Sequence, residues 1–233
     1  FFNGKARYHA VELRESRIKL LYYLYAAPEG KYYDESLFLL AEIALAEGDG
    51  EGALLYLQPI VRSESSPFFL QATAKIADIY LARKEYDNAQ VLYSKLVSKT
   101  AESELKIRFQ SREMICLINQ GNLKVYDSKL SLFQKEFKKQ PGFDNYLAEF
   151  EFELGKYAYL NKNYDVAIKR FESVIQKYRK TDYADDAEYY LGLSYTTLNK
   201  VEKAMDILSG FTEKYPGSPL KANIYITLGG LYY

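Results

Sequence analysis

The 233 residues carry 31 Lys+Arg against 31 Asp+Glu, a net charge of zero, and 48% of them are hydrophobic. That charge balance argues against a dedicated nucleic-acid binder, which needs cationic surface to displace condensed counterions, and the apolar content argues against disorder. One cysteine, Cys116, and one histidine, His9, rule out an internal disulfide, a cysteine-based metal site, the usual zinc sites and two-histidine chemistry.

Glycine (13) and proline (6) are too few for a chain stitched from many β-turns. The longest apolar run, Leu20 to Ala27, falls far short of the roughly 18–20 residues that a bilayer span requires. The sequence opens at Phe1 rather than Met, so an address signal cannot be read from it.

A repeat of small residues organises the chain. In order, the pairs are Gly4 and Ser16 (the weakest copy), Ala41 and Ala53, Ala77 and Ala89, Cys116 and Ser128 (degenerate), Gly155 and Ala167, and Gly192 and Ala204, each 12 residues apart. Gly229 opens a seventh copy. Successive first members are separated by 37, 36, 39, 39, 37 and 37 residues. Large apolar residues follow the second member of each pair: Leu20, Leu57, Tyr93, Leu132, Phe171 and Leu208. Where two helices cross closely, a side chain bulkier than Gly, Ala, Ser or Cys forces the axes apart. The pattern therefore predicts units of helix A, short turn and helix B.

Turn signals sit between the members: Gly48-Asp49-Gly50, Arg83-Lys84-Glu85, Gln120-Gly121-Asn122 and Asn161-Lys162-Asn163. Ala27-Pro28-Glu29-Gly30, Gln140-Pro141-Gly142 and Tyr215-Pro216-Gly217 separate one unit from the next. Length variation is expected in these connections, since the distance from A to B is constant. Asp49-Gly50-Glu51 lacks the spread of ligands in a calcium loop and reads as a turn. Cys116 reads as inert core, and no phosphate loop or nucleophile–base pair is present. No enzyme activity and no cofactor are expected.

The combination of Leu191-Gly192, Tyr195, Ala204, Leu208 and Pro216 resembles the tetratricopeptide repeat. Residues 184–216 and 148–178 carry the best copies. The resemblance implies an all-α, right-handed superhelix of about six helix pairs plus a trailing helix, one solenoid over 1–233; because the last unit lacks its helix B, a segment of a longer array is expected. Lys214-Tyr215-Pro216-Gly217-Ser218 and its variant Lys177-Tyr178-Arg179-Lys180-Thr181 are similar to a bacterial cell-envelope subclass, the outer-membrane assembly and TolA-binding type. That likeness implies a periplasmic or envelope location.

In the family, A helices line a concave groove. The stripe at offsets −6, −3, +1 and +4 from each small residue supplies Glu35, Phe38, Glu42 and Leu45, then Gln71, Ala74, Asp78 and Leu81. It continues with Gln110, Glu113, Leu117 and Gln120, then Glu149, Phe152, Lys156 and Tyr159, then Asp186, Tyr189, Leu193 and Thr196. The stripe is acidic and apolar, which predicts partner proteins offering apolar or basic amphipathic segments. The expected function is a non-enzymatic protein scaffold. A spacer that self-associates through its ends, with Tyr232 and Tyr233 exposed, is the alternative. An RNA-binding helical repeat fits the charge less well.

Overall fold

The computed structural model describes the backbone of residues 2–231 and the side chains of residues 12–231. Among the described residues there is no strand; every element is a helix. Cα packing divides the chain into two compact units, 1–109 and 110–233.

Unit 1 holds α1 (Phe2–Ala26), α2 (Tyr33–Ala46), α3 (Gly50–Val61), α4 (Phe69–Ala82), α5 (Tyr86–Lys99) and the start of α6 (Ser103–Asn119). Its core joins Leu37, Ala41 and Ala44 of α2 to Ala53, Leu57 and Ile60 of α3 and to Ala72 and Ile76 of α4. Unit 2 continues α6 and adds α7 (Leu123–Phe137), α8 (Phe143–Leu160), α9 (Tyr164–Lys177), α10 (Ala184–Thr197), α11 (Val201–Ser209), α12 (Phe211–Lys214) and α13 (Lys221–Leu231). There α9 packs against both α8 and α10, around Phe152, Phe171, Val174 and Leu191.

Helix pairs α2/α3, α4/α5, α6/α7, α8/α9 and α10/α11 share one turn geometry. Each A helix ends at a left-handed residue: Gly48, Lys84, Gly121, Lys162 and Asn199 have φ of 78°, 61°, 74°, 60° and 56°. The next amide reaches back to the carbonyl five residues earlier, as in Asp49 to Ala44 (2.8 Å), Asn122 to Leu117 (2.9 Å) and Asn163 to Ala158 (2.8 Å). With the left-handed residue's own amide bonded three residues back, as in Gly48 to Leu45 (3.0 Å) and Lys162 to Tyr159 (2.9 Å), this is the Schellman closure. The Asp49 carboxylate then caps α3 by accepting from the Gly52 amide at 2.8 Å, so that stretch is a turn as expected.

The small residues act as holes for knobs. A Cβ added at Gly155 would lie 2.5 Å from the Phe171 ring, and one at Gly192 would lie 2.4 Å from Leu208. The bulky partner 16 residues on seats itself in the glycine gap, so the closest approach there is small-against-large.

Two expectations change. The copy placed at Gly4 and Ser16 is no hairpin: α1 runs unbroken from Phe2 to Ala26. In the third hairpin the register is displaced by two. Counting from the left-handed Gly121 as from Gly48 or Lys162, the paired positions are Met114 and Tyr126, not Cys116 and Ser128. Met114 and Tyr126 are buried, while Ser128 is exposed and Leu132 is 62% exposed. Phe133 and Phe137 fill the core instead, with Phe133 at 5.3 Å and Tyr126 at 6.0 Å from the Phe150 ring of α8. The spacing of Cys116 and Ser128 is coincidental.

Candidate interaction surface

The A-helix stripe divides into exposed and buried parts. In unit 1 it stays accessible. Glu35 and Glu42 on α2 and Asp78 on α4 are exposed, and Phe38 and Leu81 are half-buried. Phe38 rests on Phe68 with centroids 5.2 Å apart, and the Lys75 ammonium lies 5.6 Å from its ring centroid while pairing with Glu42. Asp78 accepts from the Tyr93 hydroxyl.

In unit 2 five expected surface residues belong to the core. Gln110, Glu113 and Leu117 of α6, and Glu149 and Phe152 of α8, are all buried. For the α6 residues the cause is that the helix is buried on nearly every side from Phe109 to Ile118. For the others it is the neighbouring helix. Glu149 accepts from Arg112 of α6 at 2.6 Å, and Glu113 pairs with Lys129 of α7 at 3.0 Å, which offsets the cost of removing carboxylates from water. Phe152 lies within 5.6–5.9 Å of Phe171, Tyr183 and Tyr190. Its ring thus packs in the core instead of standing at the surface.

What remains accessible in unit 2 is compact. Tyr159 of α8 meets Tyr190 of α10 edge-on at 5.8 Å, Tyr190 meets Tyr189 at 5.8 Å, and the Tyr159 hydroxyl lies 3.3 Å from that of Thr197. Asp186, Tyr189 and Leu193 on α10 are all half-buried. Burial, reinforced by Asp185, raises the Asp186 carboxyl above the usual carboxylate range, while Lys156 opposes the rise. Lys156 is bonded to Glu153 at 2.8 Å. The patch thus joins a half-desolvated acid to a run of tyrosine rings.

Among the described residues no cluster of His, Cys, Asp and Glu is placed to hold a metal, and no helix is long and apolar enough to cross a membrane. Burial pushes the Cys116 thiol up to about 12, in keeping with an unreactive core residue. His9 and the terminal Tyr232 and Tyr233 lie outside the described side chains.

An all-helical chain of hairpins closed by one recurring turn is a repeat protein of the helical-hairpin class. The tetratricopeptide repeat family model matches residues 149–181 and 186–218, which span α8/α9 and α10–α12. Among curated proteins, human tetratricopeptide repeat protein 21B is 27% identical over 168 residues, covering 71% of this chain and 12% of that protein. The mouse protein of the same name is 26% identical over 185 residues, covering 78% and 13%. The chain therefore spans a small fraction of either relative. A crystal structure of the APC/C hetero-tetramer Cut9–Hcn1 superposes with a TM-score of 0.55 at 17% identity, over 95% of this chain and 40% of that one, and shows the fold alone. The relatives are mammalian, and the expected likeness to bacterial envelope proteins finds no support among them.

Proposed function

We propose that the chain is a non-enzymatic scaffold that holds a segment of a partner protein on the A-helix face of unit 2, at Tyr159, Asp186, Tyr189 and Leu193. The observation that carries this reading is Asp186: a carboxylate half-withdrawn from water and crowded by Asp185, beside a row of aromatic rings. A basic side chain would relieve the carboxylate while its apolar neighbours cover Tyr189 and Leu193, the chemistry of a basic amphipathic segment. In unit 1, Glu35, Phe38, Glu42, Asp78 and Leu81 offer a second acidic and aromatic face of the same type.

The test is capture by the immobilised protein, with Asp186→Lys combined with Tyr189→Ala as the variant. The reading expects the bound proteins to fall about tenfold, a loss of roughly 1.4 kcal/mol, with the helical circular dichroism unchanged. Equal capture by a folded variant would refute it.

A further inference from the structure

The end of unit 2 at which B helices hand over to the next A helix carries a feature that the scaffold reading does not use. The α7–α8 and α9–α10 connections come together around a cavity of about 370 Å³. Lys177, from the last turn of α9, and Arg179 and Lys180, from the connection, line one side; Asp144 and Asn145, from the first turn of α8, line the other. None of the three cations has an ion-pair or hydrogen-bond partner for its side chain among the described residues, and neither has the side-chain amide of Asn145 or of Gln176.

In unit 1 the cations at the corresponding end of α5 are neutralised, since Glu64 of the α3–α4 connection takes both Lys95 (2.9 Å) and Lys99 (2.7 Å). Asp144 is the one carboxylate lining the unit 2 cavity, and Lys138 and Lys139 follow α7 in the adjoining connection. A net-neutral chain has thus left an excess of positive charge around one concave site.

We propose that this cavity is a docking site for an acidic peptide segment of a partner protein, separate from the A-helix face. Lys177, Arg179 and Lys180 would take its carboxylates, Arg179 through the two-pronged geometry of its guanidinium. The Asn145 and Gln176 amides would bond its backbone. A cavity of 370 Å³ accommodates a few extended residues and is too small for a helix. Concavity and the carboxylate of Asp144 favour a peptide over an anionic membrane surface or a nucleic-acid backbone, both of which reward a broad, uninterrupted cationic face.

The probe is a short fluorescein-labelled peptide of alternating Glu and Ser, titrated into the whole chain and followed by anisotropy. Saturable binding is expected, weakening steeply with added salt. Lys177→Glu with Arg179→Glu should weaken it about tenfold or more, while Asp186→Lys with Tyr189→Ala should leave it unchanged, so failure here and failure of the scaffold reading are distinguishable. All four positions are exposed or half-buried, and circular dichroism with urea unfolding confirms that each variant folds. The proposal is overturned if the peptide does not bind, if the charge-reversed variant binds it equally well, or if anionic phosphatidylserine vesicles or single-stranded RNA bind tighter than the peptide at the same residues.

Discussion

The α8/α9 and α6/α7 hairpins of unit 2 end their A helices with the same turn and pack their cores in opposite ways. In α8/α9 the position seven residues before the left-handed Lys162 is Gly155, and the Phe171 ring drops into the gap it leaves. In α6/α7 the same position before Gly121 is Met114, its counterpart across the turn is Tyr126, and both are buried. The main-chain turn is common to the two and the small side chains are not. Pairing is therefore fixed by the Schellman closure, and glycine or alanine tunes how closely the helices approach.

Removing bulk from the atypical hairpin should have the largest effect. Tyr126→Ala, which deletes a buried ring packed edge-on against Phe150, is expected to cost about 4 kcal/mol in urea unfolding. In an alanine-slot hairpin the same residue type would be the native one. Adding bulk to the typical hairpin comes next. Gly155→Val drives a side chain into Phe171, which is fully buried and held by Phe152 and Tyr190, and should cost about 3 kcal/mol.

Alkaline titration separates the hairpins by a different route. Burial, with Glu151 adding to it, raises the Tyr126 hydroxyl above its ordinary value of 10, and burial also raises Tyr183 and Tyr215. A raised folded-state value means that the stabilisation is complete below pH 10 and is lost as pH climbs through the higher folded values. Tyrosinate absorbance should therefore lag that of exposed tyrosine and then rise together with unfolding, and Tyr126→Phe should postpone that unfolding. The smallest change is a gain. Lys162 holds φ of 60°, a conformation that suits glycine, so Lys162→Gly should stabilise the chain by about 0.5–1 kcal/mol, while Gly121→Ala, aimed at the Tyr157 hydroxyl, should not.

The hairpin plan was legible because it repeats: Ala41 with Ala53, Ala77 with Ala89 and Gly192 with Ala204 all hold the register that the turns define. In the third hairpin side-chain size does not mark the register, because Met114 and Tyr126 fill the positions that small residues hold elsewhere. The turn carries a better marker, since Gly121-Asn122 aligns with Gly48-Asp49 and Lys162-Asn163. The interaction stripe was harder still. Periodicity tells which way a helical residue points relative to its own helix, but Glu149 is buried by a contact with Arg112, 37 residues earlier in the chain. The cluster at Lys177, Arg179 and Lys180 was visible only as a variant of a family signature. Its lack of partners is a property of the folded chain.

The recurring turn has a consequence for how such a chain ages. Gly, Lys and Asn all serve as its pivot, at a penalty of no more than about 1–2 kcal/mol for the non-glycine choices. Interior residues can drift between Ala and Tyr, or Gly and Met, without unmaking the hairpin, provided that the carbonyl and amide at its bend still find each other. Descent in such arrays is then better traced by aligning bends than by matching core letters, and two copies with little sequence in common can still be siblings.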